Sequence, residues 1–352
     1  MIETGYRYSY NKPIVLQWHL TNRCNLKCKH CYMHDDPNYI DELKNELCFE
    51  ECIKLIDDFH ELLKFIDMNG RINFTGGDPL LKKEIYKLIE YARKKGIFVG
   101  ILGNPDLLSY KVCKKLKSVG LLRYQISIDG MEKTHDSLRK KGAFRKAIKG
   151  IRLLNKVGIP SVVMFTLSKR NACELIDVIR LAAKENVKIF DFARLVPIGS
   201  GINMLEDMLE PKEYRSLLLN VLEEYRKLND SKCETYFGRK ESLWALVYKE
   251  LGLMSGIAKS HGGCSVGKSL ITVMPDGKVY PCRRLPIQLG KFPEESIKEI
   301  FISSKVHSRL SSSRLLVKCR ECELLTMCRG CMGVAFAVSG NPFAPDPQCW
   351  KE

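Results

Sequence analysis

The sequence has no apolar run approaching the roughly 18 residues that a membrane-spanning helix requires; the stretch GVAFAV at 333–338 is far too short. Its N-terminus, MIETGYRYSYNKP, lacks the basic-then-apolar pattern of an export signal, so a cytoplasmic location is expected. No dense basic block with interleaved aromatics is present, which argues against a nucleic-acid partner despite a net charge of +16. There is no internal repeat and no low-complexity tract, which excludes a solenoid or a fibre. An apolar share of 45% with both charge signs mixed along the chain excludes a disordered protein.

What the chain does have is cysteine, fifteen in 352 residues. The count is odd and no export signal accompanies it, so a disulfide framework fits poorly; in a reducing compartment, thiols at close spacing read as metal ligands. Cluster-bound thiolates would offset part of the excess of 57 Lys and Arg over 41 Asp and Glu. The remaining charge would draw an anionic substrate or an acidic peptide.

A β/α alternation occupies the first 195 residues. Short β-branched runs at 14–20, 71–75, 97–102, 123–128, 161–166 and 188–193 read as strands, and 49–66 and 82–96 carry apolar residues at helical spacing. Gly96, Gly120 and Gly158 stand where helices should end. Six such units imply an α/β fold with a parallel sheet curved into a partial (β/α)6 barrel, its site at the C-terminal strand ends. Residues 1–200 are assigned to this barrel and 201–258 to a helical bridge, with helices expected at 211–228 and 241–251. Residues 259–352 form a small Cys-rich domain that would owe its stability to metal ligation.

Cys24, Cys28 and Cys31 follow the first strand in TNRCNLKCKHCY. Three thiols are one short of a closed tetrahedral site or an ordinary cubane. A zinc site completed by a distant residue is one reading. The other is a 4Fe–4S cluster with one iron open to a small molecule. This C-x3-C-x2-C pattern resembles the signature of the radical S-adenosylmethionine (SAM) superfamily, and the resemblance covers residues 14 to about 195. It implies that SAM itself supplies the missing ligand, and that its reductive cleavage yields a 5′-deoxyadenosyl radical that abstracts hydrogen. TGGDP at 75–79 is similar to the family's GGEP element, which makes Gly76, Gly77 and Asp78 SAM contacts, with Asp where Glu is usual. By the same resemblance Ser127 and Asp129 in QISIDG would meet the ribose, and Arg139 would clamp the cofactor carboxylate. Asn104 stands where the family often has an Asn. His30 takes a usual aromatic position and is expected to pack. No general acid or base stands out; Tyr32, His135 and His261 are simply present.

Toward the C-terminus come Cys264, Cys282, then CRECELLTMCRGC at 319–331, then Cys349. Two C-x2-C pairs could form a zinc ribbon, but seven cysteines divide poorly into four-ligand sites. The order resembles the SPASM domain, a C-terminal extension of radical SAM enzymes with two auxiliary 4Fe–4S clusters, three clusters in all. The resemblance implies an outer cluster on Cys319, Cys322, Cys328 and Cys349, and an inner one on Cys264, Cys282 and Cys331. Only Arg329 and Gly330 separate Cys328 from Cys331, one residue fewer than is usual. The inner site has three cysteines again, so it either keeps an open iron or is closed by Cys233. Cys48, Cys52, Cys113 and Cys173 read as helix packing residues.

SPASM-type enzymes mostly modify ribosomally made peptides, by thioether formation, crosslinking or related C–H chemistry, and this is the expected activity. An open inner iron would suit a substrate thiolate. The alternative is oxidation or decarboxylation of haem-type tetrapyrrole side chains; a non-enzymatic iron–sulfur electron carrier is a third reading, though such a carrier needs no six-unit barrel. About 13 residues precede the first strand, too few for a leader-binding domain, which weakens the peptide reading. Arg283 follows Cys282 where sulfatase-maturing relatives carry Asp, which argues against that branch. Arg194, Arg283 and Arg284 are candidates for binding substrate carboxylates. A flavodoxin or ferredoxin would supply electrons.

Overall fold

The computed structural model describes residues 13–254 and 263–351. Six strands, β1 (Ile14–Thr21), β2 (Gly70–Gly76), β3 (Phe98–Leu102), β4 (Arg123–Ser127), β5 (Ser161–Leu167) and β6 (Ile189–Arg194), pair in parallel and in chain order. Each matches one of the β-branched runs to within a residue or two. Helices α1 (Tyr39–Lys44) and α2 (Phe49–Phe65) connect the first two strands. Then α3 (Ile85–Lys94), α4 (Tyr110–Ser118), α5 (Glu132–Leu138) with α6 (Ala143–Val157), and α7 (Leu175–Lys184) make the later crossovers. The helices bury one face each: α2 sets Leu55, Ile56, Phe59 and Leu62 against Leu16, Trp18 and Phe74 of the sheet. Gly96, Gly120 and Gly158 adopt positive φ at the helix ends, where a side chain would be strained.

Beyond β6 the chain forms α8 (Pro211–Asp230), β7 (Tyr236–Phe237) and α9 (Trp244–Glu250). This segment carries two helices and also adds a strand: β7 extends the sheet beside β6, with Tyr236 opposite Ile189. The Cys-rich region likewise joins the barrel sheet. Its β8 (Leu270–Val273) pairs in parallel with β1, with Val15 opposite Leu270, and β9 (Lys278–Tyr280) and β10 (Gly290–Lys291) continue antiparallel. The single ten-stranded sheet thus crosses both expected boundaries. Short helices α10 (Ile297–Ser303), α11 (Lys305–Ser311) and α12 (Met332–Ser339) complete the region. Among the described residues no helix is long and apolar enough to cross a membrane.

Five cysteines lie apart from the other ten. Cys52 and Cys113 are buried in helices, as expected, but Cys48 is the exposed N-cap of α2 and Cys173 is exposed in a 3-10 turn before α7. Both fall on the polar side of their segments, which corrects their reading as packing residues. Cys233 precedes β7, which pairs with the first residues of β6. It therefore lies at the N-terminal end of the sheet, away from the strand ends where the other thiols gather, and its Sγ accepts the N–H of Thr235.

Candidate functional site

A cavity of about 350 Å³ opens at the C-terminal strand ends. Cys24, Cys28 and Cys31 line it from the loop after β1, and Cys264, Cys282 and Cys331 line it from the C-terminal region. Within each trio the sulfurs sit close enough to disfavour one another's ionisation. Burial is the larger cause, and together they push Cys28 and Cys331 up to about 11. Metal loading must then displace protons, and soft thiolates of this kind suit iron–sulfur clusters. Among the described residues no three His, Cys, Asp or Glu side chains are drawn together to the spacing of a single ion.

Around the first trio, Gly76, Gly77, Asn104, Ser127 and Arg139 also face the cavity, at the ends of β2, β3, β4 and α5. Gly77 lies so close to the loop that a Cβ there would stand 2.0 Å from the Arg23 carbonyl oxygen, while the Gly77 N–H donates to Thr21 at 2.7 Å. Glycine here lets the end of β2 pack directly against the backbone of the loop that carries the cysteines. Asn104 does more than expected: its Nδ2 donates to Cys24 Sγ at 3.3 Å and to Asn25 Oδ1 at 3.0 Å, tying the loop to β3.

Asp78 and Asp129 lie behind the wall. Asp78 is fully buried, caps a 3-10 turn by accepting the Leu80 N–H at 3.1 Å, and leaves its second oxygen without a partner among the described residues. Burial pushes its carboxyl up to about 7. Such a carboxyl is costly to ionise without a cation beside it. Asp129, also fully buried, accepts from Arg139 Nε at 2.5 Å and from the Thr166 N–H at 2.7 Å. Arg139 holds its carboxyl well below the ordinary range, although burial opposes this. Its carboxylate is thus engaged in orienting Arg139, whose Nη1 reaches Cys28 Sγ at 3.7 Å. His30 is no packing residue. It lines the cavity with Nε2 3.3 Å from Asp129 Oδ2 and 3.4 Å from Arg139 Nη2, joining the polar network beneath the loop. His135 is buried, accepts the Asp129 N–H on Nδ1 at 3.0 Å, and is lowered to about 4 by burial. Tyr32 sits between Cys31 and Cys282, and its carbonyl accepts from Arg283 Nη2 at 3.0 Å. His261 lies outside the described residues.

Two of the three arginines proposed for substrate are otherwise occupied. Arg194, at the end of β6, is buried between Glu241, which accepts from its Nε at 2.7 Å, and Asp346, which takes both terminal nitrogens at 2.9 and 2.8 Å. Asp346 in turn accepts the Cys331 N–H at 2.9 Å. Arg283 pairs with Asp36 at 2.9 Å. Both are spent on joining the C-terminal region to the barrel, which corrects their assignment. Arg284 remains directed at the cavity, joined by Lys240, a residue that its sequence context did not single out.

The remaining thiols form a second group off the cavity. Cys349 and Cys322 both raise the affinity of Cys319 for its proton, and Cys328 feels Cys349 and Cys319 in the same way, so the four are neighbours. The short link between Cys328 and Cys331 is explained by its backbone. Arg329 and Gly330 both take left-handed φ values of 76° and 65°. This tight reversal sends Cys328 to the outer group and Cys331 to the cavity. The guanidinium of Arg329 is buried and donates to the Leu310 carbonyl at 3.1 Å.

Comparison with known proteins agrees with this geometry. The Radical SAM superfamily model matches residues 18–182, and the SPASM model, described as an iron–sulfur cluster-binding domain, matches residues 264–332. The chain is 31% identical to an Fe-coproporphyrin III synthase of Methanosarcina barkeri over 98% of its own length and 89% of that protein's. It is 29% identical to an AdoMet-dependent heme synthase of the same organism, over 96% of this chain and 97% of the other. Similarity extends, at 26% identity, to the mycofactocin maturase MftC of Mycolicibacterium smegmatis, over 96% of this chain and 82% of that one.

Proposed function

Because the chain belongs to the radical SAM superfamily, is an enzyme of SAM and iron–sulfur chemistry, and carries a SPASM domain, we propose that it oxidises or decarboxylates the carboxylate-bearing side chains of a haem-type tetrapyrrole. One observation carries the reading: a single cavity is lined by both thiol trios and by cationic side chains. A substrate there would touch the cofactor end and the inner auxiliary end together. The two full-length relatives named for haem-pathway tetrapyrroles support the choice of substrate class. Peptide modification, the expectation from sequence, is the second reading, supported by likeness to the mycofactocin maturase.

In this reading Cys24, Cys28 and Cys31 hold the cluster that binds SAM, Cys319, Cys322, Cys328 and Cys349 hold an outer auxiliary cluster, and Cys264, Cys282 and Cys331 hold the inner one. When bound, the reduced cluster and SAM supply one-electron cleavage of the sulfonium and removal of a substrate hydrogen. The protein's own groups do the positioning. Gly76 and Gly77 line the cavity beside the cysteine loop, Asp78 just behind the wall supplies negative charge on the side of the amino group, and Arg139, braced by Asp129 and His30, presents a cation to the carboxylate. Asn104 restrains Cys24. The apolar residues Leu102, Met164 and Leu195 on the wall limit water around the reacting carbon. A flavodoxin- or ferredoxin-class donor would reduce the clusters.

The test is anaerobic incubation of the reconstituted protein with SAM, a reductant and iron coproporphyrin III or a related haem precursor. Release of 5′-deoxyadenosine is expected, with a substrate mass change matching loss of CO2 and two hydrogens per reacting carboxyethyl group, or its oxidation, and both should vanish when Cys24, Cys28 and Cys31 are replaced by Ala. Release of 5′-deoxyadenosine with every tetrapyrrole unchanged would eliminate this substrate class and leave the peptide reading.

A further inference from the structure

We propose that Lys240 and Arg284 form a carboxylate-binding subsite on the cavity wall beside Cys282, holding one acidic side chain of the substrate. The identity of that side chain as a tetrapyrrole propionate rests on the function proposed above; the subsite itself rests on geometry. Four cations line this part of the cavity: Arg194, Lys240, Arg283 and Arg284. Arg194 is matched by Glu241 and Asp346, and Arg283 by Asp36. Among the described residues, neither Lys240 nor Arg284 has a carboxylate at ion-pair distance, although both line the same cavity. They are near one another, with Glu241 close to both and Asp191 close to Lys240, yet neither acid closes to an ion pair with them. Two neighbouring cations on one cavity wall, neither closed into an ion pair, repel each other, and a bound anion removes the repulsion.

Both side chains spring from fixed backbone. The Lys240 N–H donates to Asp191 Oδ1 at 3.2 Å, which anchors it to β6. The stem of Arg284 packs on Gly333 in α12, where an added Cβ would come within 2.9 Å of the Arg284 Cβ and carbonyl oxygen. A planar guanidinium fork beside a compact ammonium suits a carboxylate, which the fork can take with two parallel bonds while the ammonium adds a third contact. Because Arg284 is two residues from Cys282, the held side chain would be drawn to the inner auxiliary end of the cavity and the rest of the substrate would extend toward Cys24–Cys31.

The experiment is an anaerobic absorbance titration of the reconstituted full chain with iron coproporphyrin III and with its methyl ester, which keeps the ring but lacks the carboxylates. Lys240→Gln and Arg284→Gln should each raise the Kd for the acid about 10-fold and the double variant about 100-fold. Arg284→Lys, which keeps the charge but not the fork, should fall between wild type and Arg284→Gln. The ester should bind wild type at least as weakly as the acid binds the double variant, and should be insensitive to these substitutions. Iron per chain should stay at the wild-type value in all variants. Equal binding of acid and ester, or variants within about 2-fold of wild type for the acid, would overturn the subsite while leaving the tetrapyrrole reading intact. Loss of iron in the variants would overturn it too, by making the pair a support of the cluster. Failure of both porphyrins to bind wild type would overturn the tetrapyrrole reading and this carboxylate with it.

Discussion

Cys24, Cys28 and Cys31 reach the cavity on one short loop after β1, whereas Cys264, Cys282 and Cys331 come from three separate segments of residues 264–331. The first trio is assembled by local chain geometry, with a few side chains such as Asn104 and Arg139 bracing it from outside. The second exists only when β8 has docked on β1, the chain has reversed at Arg329–Gly330, and Asp346 has met Arg194. A site made of one loop tolerates damage elsewhere. A site made of three segments depends on every contact that holds them in register.

The largest expected effect comes from the buried bridge between the two halves. Arg194→Met leaves Glu241 and Asp346 buried without their cation, and removing one member of such a buried network costs about 3–5 kcal/mol. Denaturant unfolding of the reconstituted protein should show that loss. Iron should fall toward the content of the Cys24–Cys31 site alone, since Asp346 also positions the Cys331 backbone. Full iron content in Arg194→Met would break the distinction between the two trios.

Gly330→Ala should act more narrowly. A Cβ there would lie 2.8 Å from the Asp346 Cβ, at a φ of 65°. Strain of this kind costs about 1–3 kcal/mol. Thermal unfolding should shift down, and iron should be lost from both auxiliary sites at once, because the turn feeds Cys328 to one and Cys331 to the other. Loss from one site only would show that they are assembled independently.

The smallest effect probes the first trio's side of the cavity. Asp78 has a carboxyl raised from 3.8 to about 7 by burial, so the folded state holds its proton more tightly than the unfolded chain. Stability from this group is present below about pH 4 and is lost as pH rises through about 7. Asp78→Asn should therefore stabilise the SAM-free protein at pH 8 by up to a few kcal/mol, with little gain at pH 4. It should also weaken SAM binding, since an amide cannot neutralise an ammonium. Thermal unfolding at the two pH values checks the first part, and a pH-independent difference would remove Asp78 as a buried titrating group.

Much of this molecule is legible in its sequence because much of it is local. The strands were readable from β-branched runs, the helix ends from Gly96, Gly120 and Gly158, and the cluster loop from three cysteines in eight residues. The misreadings share one cause. Arg194 and Arg283 looked available for substrate because their partners, Asp346 and Asp36, are remote in the chain. His30 looked like packing because Asp129 and Arg139 arrive from the end of β4 and the end of α5. Cys48 and Cys173 looked buried because helical spacing does not say where a helix begins.

Sequence alone determined the family chemistry, since the cysteine spacing on a strand-end loop is set by bonded distances that no distant contact can alter. Only the tertiary structure decided which charges remain free. Charge pairing depends on separation through space, and it left Lys240 and Arg284 facing the cavity while their neighbours were neutralised.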